Sequence, residues 1–123
     1  MWRDIEWIPQ LEEDAIVWIS VKKFDAVWSL ERDFYITQPP DPEDQLKYQR
    51  FGAWFSKNQS AVEMPHISFF GEDFSFSNGR NRFAWLRDRG LKALPVTTDP
   101  EEATELRRIA GTRSRISRIK IKT

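Results

Sequence analysis

Apolar and polar positions alternate differently along successive segments, and each pattern predicts an element. Asp14-Ala15-Ile16-Val17-Trp18-Ile19-Ser20-Val21 is β-branched and apolar, which predicts a well-buried strand. Phe24, Val27 and Trp28 recur at helical spacing and predict a short helical turn over residues 23–30. Asp33-Phe34-Tyr35-Ile36-Thr37 predicts a second, short strand, broken off by Pro39-Pro40. Asp41-Pro42-Glu43-Asp44 has the marks of a helix start: an N-cap aspartate, proline at the first helical position and acids against the dipole. That helix is expected to reach about Lys57, with Tyr48, Phe51, Trp54 and Phe55 on its buried side and Asn58 near its end.

Ser60 to Ser68 is strand-like but interrupted by Pro65, and Phe70-Gly71-Glu72-Asp73 turns the chain into Phe74-Ser75-Phe76-Ser77, which alternates as a half-exposed strand does. Asn78-Gly79 signals a turn, followed by a helix from Arg80 to Arg89 that Gly90 closes in a left-handed cap. Leu91 to Thr97 returns as a strand. Asp99-Pro100-Glu101-Glu102 repeats the start signal with a capping-box acid at the third position, and its helix ends in Arg107-Arg108 before Gly111. The basic C-terminal segment 107–123 closes on Ile119-Lys120-Ile121-Lys122, whose strict alternation predicts an edge strand. The element order implies a compact α+β fold, a small mixed β-sheet with about three helices.

Length fits one domain over residues 1–123. Six Trp, nine Phe and two Tyr supply enough large apolar surface for a core. With no Cys, a disulfide framework, a thiolate metal site and a cysteine nucleophile are excluded, which suits a reducing compartment. The opening Met1-Trp2-Arg3-Asp4-Ile5-Glu6 lacks the basic-then-apolar order of a signal peptide. No apolar run approaches the roughly 20 residues a bilayer span needs. A cytoplasmic protein without membrane insertion is expected. Net charge is zero but polarised: residues 1–61 carry 7 basic and 11 acidic side chains, residues 62–123 carry 12 and 8. From Arg107 onward there are seven basic residues and no acid, a pattern that suits either a polyanion or acidic protein partner or a solvated face.

The chemistry concentrates at Asn78-Gly79-Arg80-Asn81-Arg82. A glycine turn from strand into helix exposes unpaired N–H groups at the positive end of the helix dipole, where phosphate or carboxylate binds. Arg80 and Arg82 add permanent charge and bidentate geometry, and Asn78 and Asn81 add hydrogen-bonding groups. A tight turn with a solvated basic helix start is the plainer interpretation of the same residues. Glu63, about 16 residues upstream, is a candidate general base or metal-linked carboxylate, or a surface acid. Asp25 fits better as a cap of the short helix. His66 is the only histidine, too few for a zinc set without Cys, so no metal site is predicted. Ser75, Ser77 and Ser114 lack a His–Asp pair to activate them. Most aromatics suit the core, with Phe74, Trp2 or Trp7 as candidates for an exposed base-stacking ring. Arg113, Arg115, Arg118, Lys120 and Lys122 fit either a nucleic-acid backbone or the solvated side of an edge strand.

The run Phe76-Ser77-Asn78-Gly79-Arg80-Asn81-Arg82-Phe83-Ala84-Trp85-Leu86-Arg87-Asp88-Arg89-Gly90, then Ala93-Leu94-Pro95-Val96, resembles the signature of the ParB/sulfiredoxin superfamily. More closely it resembles the plasmid fertility inhibition factors, the family that includes the oncogenic-suppression protein. Phe24-Asp25-Ala26-Val27-Trp28, Val62-Glu63-Met64-Pro65 and Thr112-Arg113-Ser114-Arg115 extend the likeness over residues 15–119. The resemblance implies a ParB/sulfiredoxin-like fold whose glycine-basic loop holds nucleotide phosphates, often with a divalent metal such as Mg²⁺. It implies a block on conjugative transfer of another plasmid, with ATP hydrolysis or DNA cleavage as the associated activities, and nucleotide, DNA or a type IV secretion component as partner. Gly79, Arg80 and Arg82 match the family loop. Asn81 stands where relatives usually carry His, and Arg80 where sulfiredoxins carry their cysteine, which excludes sulfiredoxin chemistry. Asparagine keeps a hydrogen bond but carries no proton near neutral pH. Two function classes therefore stay open: a transfer inhibitor whose loop binds nucleotide or DNA phosphate, with ATPase or DNase activity as an open extension, and a non-catalytic protein that jams a transfer or secretion component.

Overall fold

In the computed structural model, residues 1–31, 33–58, 61–71 and 73–120 are described. The strands are β1 (Trp2–Asp4), β2 (Trp7–Ile8), β3 (Ala15–Ser20), β4 (Val62–Glu63), β5 (His66–Phe70), β6 (Asp73–Asn78), β7 (Ala93–Thr98) and β8 (Arg118–Lys120). The helices are α1 (Val21–Trp28), α2 (Gln45–Asn58), α3 (Arg80–Asp88) and α4 (Ala103–Ala110). This is the expected α+β architecture. The helical turn expected over residues 23–30 is a full helix, α1, starting two residues earlier: Ser20 accepts a hydrogen bond from the Lys23 N–H (3.2 Å) and caps the start. Phe24 and Trp28, four residues apart, then share its buried face.

The main sheet has strand order β3-β7-β5-β6. β3 pairs antiparallel with the whole of β7, from Ala15 opposite Thr98 to Ser20 opposite Ala93. β5 and β6 form an antiparallel pair with a bulge between His66 and Ile67. The two halves meet in a thin parallel seam at His66 and Thr97, reinforced by Thr97 N–H to the Pro65 carbonyl (2.9 Å) and Thr98 Oγ1 to the Ile67 carbonyl (2.8 Å). That seam lets Pro95 occupy a fully buried strand, because a residue without an N–H fits only where a ladder bond is not required on that side. Away from this sheet, β1 pairs antiparallel with β8 and β2 pairs parallel with β4.

Aromatic packing fills the space between sheet and helices. Phe24 and Trp28 of α1, Phe76 of β6 and Phe83 of α3 form one cluster, with ring centroids 4.8 to 5.9 Å apart. Phe51 and Phe55 of α2 meet Trp85 of α3 in a second cluster.

Several expectations need correction. Residues 33–37 form no strand: arginine side chains take their carbonyls, Arg80 that of Phe34 and Arg87 those of Ile36 and Thr37. The 60–68 stretch divides at Met64-Pro65 into β4 and β5, and Ser60 lies outside the described residues. β3 is buried on one face only, with Ile16 43% exposed. β6 buries Phe74, Ser75 and Phe76 in succession, because α1 covers one face while Ser75 donates to Glu31 on the other. Trp54 is 39% exposed, at the rim of the α2 face that Phe55 fills. The capping box does not form: Glu102 turns to the Phe69 N–H (3.2 Å) and Thr98 Oγ1 (3.4 Å), tying the helix start to the sheet. The C-terminal strand exists, but residues 107–110 belong to α4 and β8 pairs with the N-terminal β1. Ile121 and Lys122 lie outside the described residues.

Candidate functional site

The loop between β6 and α3 is clamped from both ends. Phe76 precedes it, Phe83 follows it, and both are locked into the α1 aromatic cluster. Gly79 adopts φ +91°, and a Cβ there would lie 2.9 Å from Pro65 Cα and 2.8 Å from Arg82 Nη2. Both the backbone angle and the closeness of Pro65 demand glycine. The Gly79 carbonyl accepts from Phe83 N–H (3.0 Å), which leaves the N–H groups of Arg80, Asn81 and Arg82 as the first turn of α3 without intrahelical acceptors.

These residues line a hollow of about 430 Å³ together with Phe34, Lys47, Phe76 and Ser77. Among the described residues no carboxylate lines it. Arg80 is partly committed: it donates to the Phe34 carbonyl (2.8 Å), lies 3.5 Å from Asp44, and its guanidinium sits over the Phe34 ring at 5.7 Å. Arg82 differs. Its Nε and Nη2 are buried with no hydrogen-bond partner among the described residues. Burial holds its guanidinium below the usual arginine range, and the nearby Glu63 charge pulls partly the other way. The Asn81 amide also has no partner among the described residues.

Glu63 does not line the hollow; it is exposed on β4 and reaches the loop through Gln10. The Gln10 amide donates to Glu63 Oε2 (3.5 Å) and to the Met64 carbonyl (3.3 Å), and its oxygen accepts from Asn78 Nδ2 (3.3 Å). Asn78 is thus turned toward Gln10. Sequence reasoning missed Gln10, which arrives because β2 pairs with β4 and places Ile8 opposite Glu63. It also missed Lys47 and Phe34, brought in by α2 and the segment before it, and neither carries a local sequence signal. Of the three rings proposed for stacking, Phe74 is buried, Trp7 is half-buried with its Nε1 donating to Ser117, and Trp2 lies on the β1–β8 ribbon. The aromatic edge at the hollow is Phe34, 57% exposed. His66 stands at the start of β5, its Nδ1 2.8 Å from Thr97 Oγ1 and 3.5 Å from Asp14.

Comparison with known proteins gives two similarities. A family model described as plasmid fertility inhibition factor matches residues 16–111. A crystal structure of oncogenic suppression activity protein, a plasmid fertility inhibition factor, as a gold(I) cyanide derivative, superposes with TM-score 0.66 at 22% identity. The alignment covers 91% of this chain and 63% of that one, so the chain spans under two thirds of that protein. Among curated proteins none matches. No helix among the described residues is long and apolar enough to cross a membrane.

Proposed function

The chain belongs to the plasmid fertility inhibition factor family, and from that premise we propose that it blocks conjugative DNA transfer by holding a nucleotide or DNA phosphate at the start of α3. The observation that carries this reading is Arg82. A guanidinium with two buried, unpaired nitrogens is costly, and an anion in the hollow that Arg82 lines would offset its charge. Arg80, Asn81 and Arg82 of the first α3 turn line the same hollow as Lys47, which brings helix-start N–H groups, an amide and an ammonium to its wall. Arg80 adds charge while fixing Phe34, whose exposed ring suits a base placed beside the phosphate. Phosphate fits this donor set. A protein-held divalent cation does not, since no carboxylate lines the hollow and no group of three His, Cys, Asp or Glu among the described residues is placed to hold one. Mg²⁺ would therefore enter with ATP or another nucleotide, on its phosphate oxygens.

Titration of ATP, CTP and a short DNA against wild type and Arg82→Ala tests the site. Binding by wild type that the variant loses supports it; no binding, or equal binding, sinks it. The resemblance of the loop to the ParB/sulfiredoxin signature motivates the nucleotide arm of that experiment.

A non-catalytic blocker of a transfer or secretion component is the second reading. Asn81 in place of histidine, and Glu63 facing Gln10 outside the hollow, favour it over ATP or DNA hydrolysis. Metal-dependent turnover that Glu63→Gln abolishes would argue for the enzyme instead.

A further inference from the structure

A second surface shares no residue with the loop hollow. Two hollows, of about 610 and 490 Å³, meet on the exposed face of β3 and are both lined by Ile16, Trp18 and Arg115. The larger continues over Trp7, Met64, Pro95 and Ile116, with Ile116 60% exposed, and has Asp4 and Arg118 at its edge, one charge of each sign. The smaller continues over Lys23, Arg107 and Arg113 and has no carboxylate among the described residues that line it. One groove therefore has an aliphatic half and a cationic half.

We propose that this groove docks an acidic, aliphatic segment of another protein. The charge of the basic half is not neutralised from within: the Arg107 and Arg113 side chains have no ion-pair or hydrogen-bond partner among the described residues. Their neighbour Arg108, outside the groove, is held by Glu105. Lys23 spends one donor on the Gly111 carbonyl (3.4 Å) and keeps the others for a ligand. Four cations at one end call for carboxylates, and the other end exposes Ile16 and Ile116 to aliphatic side chains over a floor of buried Met64 and Pro95.

Single-stranded nucleic acid fits less well. It needs open ring faces for its bases as well as cations for its backbone. The Arg115 guanidinium already covers a face of Trp18, 5.5 Å from the ring centre, and is pinned there by the Thr112 and Ser114 carbonyls (2.9 and 3.1 Å). The remaining wall mixes the aliphatic Ile16 and Ile116 with Asp4, Arg118 and Trp7, whose half-buried ring is held by Ser117.

Fluorescence anisotropy with a labelled peptide of about 12 residues mixing Glu and Leu tests this on the full chain. A Lys–Leu peptide and an oligo-dT of equal length serve as competitors. The Glu–Leu peptide is expected to bind and to weaken with salt. The R107E/R113E double variant, and separately Ile116→Ser, are each expected to lose about tenfold or more in affinity. Circular dichroism and melting temperature confirm that both variants stay folded, and Arg82→Ala is expected to bind the peptide as wild type does, separating this surface from the phosphate site. No peptide binding, equal binding by the variants, or tighter binding of oligo-dT overturns the proposal. So does a concentration-dependent dimer abolished by Ile116→Ser, which would make the groove a contact between copies.

Discussion

Arg82 is held charged in a place that costs stability. Replacing it by Met keeps most of the volume and removes the unpaired cation, so Arg82→Met is expected to leave the melting temperature unchanged or raise it. If the hollow binds phosphate, wild type gains about 2.7 kcal/mol at a ligand concentration of 100 times Kd, and the variant gains none. Thermal melts with and without nucleotide check both halves. Gly79 acts differently, since its φ of +91° and its contact with Pro65 are fixed by the fold. Gly79→Ala is expected to cost about 1–3 kcal/mol, read in urea unfolding. The glycine and both arginines were legible in the sequence. That Arg80 is spent on Phe34 while Arg82 is left unpaired was not, because each depends on segments more than fifteen residues away.

At the level of elements, the pairing of α2 with α3 rests on a residue that periodicity does not single out. A Cβ on Gly52 would lie 2.6 Å from Trp85 Cε2, so the glycine lets the two helices approach. Gly52→Ala is expected to push Trp85 aside and cost about 1–3 kcal/mol in chemical denaturation. The same helices are joined by the Tyr48 hydroxyl donating to Asp88 Oδ2 (2.7 Å). Burial, then the Asp88 hydrogen bond and charge, raise the Tyr48 hydroxyl above its usual range. A raised phenol stays neutral in the folded state while the unfolded chain ionises. Its contribution is therefore complete below about pH 10 and lost as pH rises through the folded value. Tyr48→Phe is expected to flatten this alkaline loss in melts across pH. Helix α2 itself was evident from its Pro-acid start and apolar spacing; the close helix contact was not, because a glycine inside a helix carries no pattern.

For the whole molecule, Arg87 is the hub. Its Nε donates to Asp88 (2.8 Å), Nη1 to Asp25 (3.1 Å) and the Ile36 carbonyl (2.7 Å), and Nη2 to the Thr37 carbonyl (3.2 Å). One side chain thereby joins α1, α3 and the segment after α1. Burial opposes its charge, but the hydrogen bonds and ion pairs with Asp88 and Asp25 outweigh it and raise its pKa. Arg87→Ala is expected to cost about 3–5 kcal/mol, and Arg87→Lys to recover little, because a single ammonium cannot span the forked acceptors. Denaturant midpoints of the two variants check this.

By itself the sequence determined the local elements and their punctuation: β3, α2, the Gly79 turn, α3 with its Gly90 cap, and the start of the α4 segment. These depend on backbone preferences and on apolar spacing within a few residues, which a linear chain carries in full. Only the tertiary structure decided that residues 33–37 are held by arginines instead of a ladder, that Glu63 meets the loop through Gln10, and that β8 pairs with β1. Those outcomes depend on which donors and acceptors arrive together after burial, and burial joins residues whose sequence separation hides their partnership.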